Sequence, residues 1–194
     1  MKKLLFLLIF IQTFTLWGQI KKIGTPYIIN YPKSVYDAGT QNWGICQDNN
    51  DFIYFANNEG VVIFNGTDWQ TVEISQSKPV RSIFKDSKNN IYVGLLNDFG
   101  KLALSENGLY EYKSMRSILP PEIEDFDDVW KIYETTDGKM VFQSYEYIFI
   151  IDETNVEIIK PENKFHFSFY VDDRLIFDEP GLGIFEYFNG EKKE

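Results

Sequence analysis

One physical pattern recurs along the chain and limits what it can fold into. From Asn42 the sequence runs NWGICQDNNDFIYFANNEGVVIFNGTDWQTV, and from Val80 it runs VRSIFKDSKNNIYVGLLNDFGKLALSENGLYEY. Each begins with a short β-rich strand, followed by a polar turn (Gln47 to Asp51; Asp86 to Asn90) and a second strand (Phe52 to Phe55; Ile91 to Val93). Each then passes through a glycine (Gly60; Gly100) into a third strand, an Asn-Gly turn (Asn65, Gly66; Asn107, Gly108) and an aromatic strand near Trp69 or Tyr110. Asn-Gly suits a two-residue hairpin turn, because both central residues need positive φ. A third copy starts at Val129, with Asp137 and Gly138 at its turn. A weaker fourth places Asp172 and Asp173 in its first turn and Asn189 and Gly190 in its second, and stops without an outer strand.

The anchors Ile45, Ile83 and Ile132 lie 38 and 49 residues apart, and the longer gap holds Pro120, Pro121 and the acidic run from Glu122 to Asp128. Units of about 40 residues with four short strands predict β-propeller blades. The expected fold is therefore all-β: an open ring of about four blades, each a four-stranded antiparallel sheet, at approximately 41–76, 77–125, 126–164 and 165–194, the last incomplete. Residues 19–40 form an amino-terminal extension with a candidate ring-closing strand. A β-sandwich built from the same hairpins is the alternative. Met115 to Leu119 is the one helical candidate, stopped by Pro120 and Pro121.

Composition narrows the function. The 194 residues are 44% hydrophobic and 17% aromatic, which is a core-forming balance rather than a disordered one. A net charge of −10 without a Lys/Arg cluster argues against direct nucleic-acid binding. MKKLLFLLIFIQTFTLWG, residues 1–18, has the basic start and apolar stretch of a secretory signal peptide, and is too short to span a bilayer; an uncleaved anchor is the other reading. The single cysteine, Cys46, forms no intrachain disulfide and reads as a small buried side chain.

From Gly24 onward the chain resembles the amino-terminal part of the two-component regulator propeller sensors of Bacteroidetes, which are extracytoplasmic parts of hybrid histidine kinases and triple-tyrosine, helix-turn-helix regulators. The matching strings are AGTQNW, FANNEGVVIFNG and VRSIFKDSKNNIYVGLLNDFG. The resemblance implies a non-catalytic periplasmic sensor segment, with an oligosaccharide or small molecule as ligand and the remainder of the same receptor chain as partner. It also implies a membrane-anchored, dimer-forming full-length receptor, of which this chain is a fragment. The alternative is an exported propeller enzyme, a lyase or glycosidase, acting on polysaccharide.

Little else signals catalysis. The single histidine, His166, lies in the alternating strand KFHFSFY and reads as a strand-face residue; no cofactor or metal is expected. The acidic run Glu122, Glu124, Asp125, Asp127 and Asp128 does not have the spacing of a calcium loop and reads as a solvated connection. Two positions before the anchor isoleucines stand Trp43, Arg81 and Trp130. Strand starts of this kind meet near a propeller's central opening, where indoles stack on sugar rings and an Arg pairs with an acidic group. Inter-blade packing is the competing reading of the same three residues.

Overall fold

Period-2 alternation and turn chemistry produce sixteen strands in a computed structural model that describes residues 24, 28–74, 78–152, 155–188 and 190–193. The first sheet contains β1 (Asn42–Gln47), β2 (Ile53–Asn57), β3 (Gly60–Phe64) and β4 (Trp69–Val72). The second contains β5 (Val80–Lys85), β6 (Ile91–Leu95), β7 (Asp98–Leu104) and β8 (Tyr110–Ser114). The third contains β9 (Lys131–Glu134), β10 (Met140–Gln143), β11 (Ile148–Asp152) and β12 (Asn155–Ile159). The fourth contains β13 (Ser168–Val171), β14 (Arg174–Glu179), β15 (Gly183–Phe188) and β16 (Glu191–Lys193). Strands pair in chain order within each sheet, and every pair is antiparallel. Residues 1–31 and 32–194 are separate compact units, and all sixteen strands belong to the second.

Each sheet buries apolar side chains against the next. Tyr54, Ala56, Val61 and Ile63 of the first meet Ile91, Val93 and Leu95 of the second. Phe99 of the second stacks on Phe142 of the third at 4.3 Å between ring centroids. Val141, Ile148 and Ile150 of the third meet Leu175 and Phe177 of the fourth. No such cluster joins the fourth sheet to the first among the described residues. The far face of the fourth instead exposes Phe169, Val171, Ile184 and Phe188, while that of the first exposes Ile45. First strands of successive sheets pack together, β1 on β5 and β5 on β9, as inner strands around an axis do.

The turns differ from expectation. Asn65 does not take positive φ; only Gly66 does, at 95°. The Asn65 side-chain oxygen accepts the amides of Thr67 and Asp68, which closes a four-residue loop rather than a two-residue one. Gly108 and Gly138 likewise supply the one positive φ of their loops. The tight turn with two positive φ values falls at Asp172 and Asp173, at 49° and 63°, between the paired Val171 and Arg174.

Three further differences concern elements. The fourth sheet does have an outer strand, β16, because Glu191 to Lys193 pair back onto Glu186 to Phe188. The helical candidate shrinks to a 3-10 turn, Arg116–Ile118, ended by the extended backbone of Leu119 before Pro120. A one-turn helix α1 (Lys33–Tyr36) forms in the extension, where Pro32 supplies a helix-compatible start, and the described part of that extension contains no strand. Tyr36 at its end lies 5.7 Å from Trp69, so the helix covers part of the first sheet's far face. The expected leader over 1–18 and the turn residue Asn189 fall outside the described residues.

Candidate functional site

The starts of the inner strands carry a local irregularity that aims their side chains. Pairing of β1 with β2 slips between Asn42 and Gly44, which makes Trp43 the bulged residue; pairing of β5 with β6 slips between Val80 and Ser82, which does the same for Arg81. A bulge leaves one residue outside the ladder and turns its side chain out of the alternation. Glycine permits the crowding alongside: a Cβ on Gly94 would meet the Val129 carbonyl oxygen at 2.6 Å. That open space lets the chain entering β9 lie across β6, where the Val129 amide donates to the Leu95 carbonyl. Trp130 follows, with its amide on the Gln143 carbonyl.

These devices bring all three anticipated residues together, one from each of three sheets. The Trp43 and Trp130 rings meet edge to face at 5.8 Å. The Arg81 guanidinium carbon lies 4.4 Å from the Trp43 ring centre and 5.5 Å from that of Trp130. Arg81 Nε donates to Asp128 Oδ2 at 3.0 Å, in a pair whose side chains are only 20% and 12% exposed. Trp43 Nε1 donates to Asn58 Oδ1 at 2.8 Å, and the Trp130 indole nitrogen is buried without an acceptor. Trp43 itself remains 40% exposed. The patch therefore shows solvent an aromatic surface, while its indole nitrogens and Arg81 Nε are engaged or buried. Arg81, expected to meet an acidic ligand, is already matched by Asp128.

Two further residues were not legible as part of this arrangement. Asp128 belongs to the acidic run read as a solvated connection, and the structure divides that run. Glu122, Glu124 and Asp125 are exposed, whereas Ile123 and Phe126 anchor the loop in the core and bring Asp128 beneath Arg81. The second is His166. Ser168 pairs with Phe177 as Ile132 pairs with Phe142, and the His166 amide donates to Asp178 as that of Trp130 donates to Gln143. His166 thus occupies in the fourth sheet the place of Trp43, Arg81 and Trp130. Alignment on hairpin register rather than on isoleucine would have found it, because Ser168 stands where the anchor isoleucine is missing.

Cavities open elsewhere. One of about 450 Å³ lies between the third and fourth sheets, beside Thr135, Tyr170 and Tyr187; another of about 360 Å³ lies between the first and second, beside Asp48, Asn89 and Tyr110. Both adjoin the turns that end the first strands, opposite the mouth where Trp43 stands. Among the described residues, no group of three or more His, Cys, Asp or Glu side chains is placed to hold a metal ion. Cys46 packs against the first intersheet core, and burial, aided by the Asp48 carboxylate, pushes its thiol up to about 12.

No protein-family model matches the sequence. The four-sheet arrangement is similar to the WD40 β-propeller domain of Doa1, with a TM-score of 0.55 and 12% identity over 81% of this chain and 58% of that one. The chain is built of β-propeller blades. Virginiamycin B lyase from Staphylococcus aureus superposes with a TM-score of 0.61 at 16% identity, over 80% of this chain and 55% of the lyase. The extracellular domain of a protein described as a hybrid two component system from B. thetaiotaomicron gives 0.61 at 18% identity, over 84% of this chain and 22% of that one. Virulence protein VirA of Vibrio anguillarum is 36% identical over 73 residues, which are 36% of this chain and 23% of that protein. The propeller segment thus spans about half the length of the lyase and less than a quarter of VirA.

Proposed function

We propose that this propeller segment is the ligand-sensing part of an extracytoplasmic receptor and that its ligand is a carbohydrate bound at the mouth formed by Trp43, Arg81 and Trp130. The observation that carries this reading is the convergence of three side chains from three sheets on one exposed aromatic surface. An indole offers a flat apolar face to the C–H side of a sugar ring, and the cation fixed between two indoles holds them in place. Because Asp128 neutralises Arg81, a neutral glycan fits better than an acidic one. Binding would signal only through different affinity for two placements of the propeller relative to the rest of the receptor, so the output lies in that remainder. The likeness to a two-component extracellular domain and the signal-peptide pattern of residues 1–18 agree with this setting.

Glycan-array binding followed by isothermal titration tests the proposal. Trp43→Ala should abolish binding with the circular dichroism spectrum unchanged; retained binding would remove the site. The second reading, an exported enzyme acting on polysaccharide, draws on the likeness to virginiamycin B lyase and on the single histidine standing beside the Asp178 carboxylate. Release of reducing ends or of unsaturated products from polysaccharide, lost in His166→Ala, would favour it.

A further inference from the structure

At the aromatic patch the two indole nitrogens and Arg81 Nε are already engaged or buried: Trp43 Nε1 is engaged by Asn58, Arg81 Nε by Asp128, and the Trp130 nitrogen is buried. Stacking alone discriminates poorly among sugars, because every pyranose has an apolar face; selectivity requires placed hydrogen-bonding groups that read hydroxyl orientation. The register equivalence of the fourth sheet supplies such a group at the corresponding place. Tyr145 links the positions, since its ring lies 5.9 Å from Trp130 and its carbonyl accepts the amide of Phe165, the residue before His166. The His166 side chain is 49% exposed, with Nδ1 3.5 Å from Asp178 Oδ2 and its ring against Phe167 at 3.9 Å. With Nδ1 beside the carboxylate, Nε2 is left to meet a ligand.

We infer that His166 is the fourth member of the mouth and its specificity-determining residue, hydrogen-bonding a hydroxyl of a neutral oligosaccharide whose adjoining ring stacks on Trp43. The inference rests on the carbohydrate reading of the mouth. It assigns the two functions to different sheets: apolar contact to the first three and hydroxyl selection to the fourth.

The test is titration of the chain with cellohexaose, mannohexaose, xylohexaose and laminarihexaose, with a polygalacturonate hexamer as the acidic control. At least one neutral hexaose should bind, and more tightly than the acidic one. His166→Phe, which preserves the ring but not its hydrogen bonds, should weaken that hexaose about tenfold and flatten the differences within the panel. His166→Gln, which restores a donor and an acceptor, should recover most of the selectivity. If Trp43→Ala abolishes binding while His166→Phe leaves affinity and selectivity unchanged, the His166 inference is wrong and the carbohydrate reading survives. If Trp43→Ala has no effect on a bound hexaose, the reading itself fails and the inference with it. Binding by none of the neutral hexaoses, or preference for the acidic one, overturns both.

Discussion

Arg81 is the side chain on which three sheets depend, and its removal gives the sharpest energetic expectation. Arg81→Ala deletes two cation–π contacts, at 4.4 and 5.5 Å, each worth about 1 kcal/mol when partly shielded from water. It also strands Asp128, which is 8% exposed and forms no other ion pair among the described residues. Breaking a buried pair costs about 3 to 5 kcal/mol, and the remaining exposure of both side chains lets water recover about half of that, leaving roughly 2 kcal/mol. The sum is about 4 kcal/mol. With a urea slope of about 2 kcal/mol/M, the unfolding midpoint should fall by about 2 M. Tryptophan fluorescence reports the transition directly, since Trp43 and Trp130 flank the deleted group. The double variant Arg81→Ala with Asp128→Ala should lose less than the two singles together, by about 2 kcal/mol of coupling. A loss under about 1 kcal/mol for Arg81→Ala, or strict additivity, would show that the guanidinium does not bind the sheets together.

Phe142, fully buried against Phe99, should cost about 3 to 5 kcal/mol as Phe142→Ala, read by the same denaturation. Gly100→Ala places a Cβ 2.1 Å from the Lys113 carbonyl oxygen, a backbone atom that cannot swing aside, so β7 and β8 should separate locally and the Lys113 region should lose hydrogen-exchange protection. Cys46 should react slowly with iodoacetamide at pH 8 in the folded chain and at an ordinary rate in urea, because burial pushes its thiol up to about 12. The phenols of Tyr92 and Tyr187 are also pushed up to about 12, mainly by burial and then by Asp86 and Glu134 beside the first and Glu157 beside the second. A raised folded pKa favours the neutral phenol, so this contribution is complete below about 10 and is lost as the pH climbs from 10 to 12, a fall that thermal melts across that window should show.

The blades were legible because their signals are local. Alternating side chains and a glycine at each close approach mark the strands without reference to anything distant. Turn type was less so: Asn65 closes its loop through its side chain, whereas Asp172 and Asp173 adopt the double positive-φ turn that Asn-Gly was expected to make. Strand β16 was missed because Glu191, Lys192 and Lys193 show no apolar alternation; Lys192 packs its stem inward and pairs with the fully buried Glu179. The meeting of Trp43, Arg81 and Trp130 was readable, because residues at equivalent repeat positions must converge where inner strands converge. Asp128 was not, because its burial depends on Ile123 and Phe126 anchoring the loop, and His166 was hidden by the substitution of Ser168 for the anchor isoleucine.

Three sheets deliver their strand starts to one point, and the convergence can be measured. Selectively labelled tryptophan, assigned by replacement of each indole in turn, allows a direct measurement by nuclear Overhauser spectroscopy. Rings 5.8 Å apart should give cross-peaks between the indole protons of Trp43 and Trp130, lost on Arg81→Ala as the pair loosens. Sharp indole signals from a folded chain with no cross-peak between the two would mean that the mouth is not assembled as described.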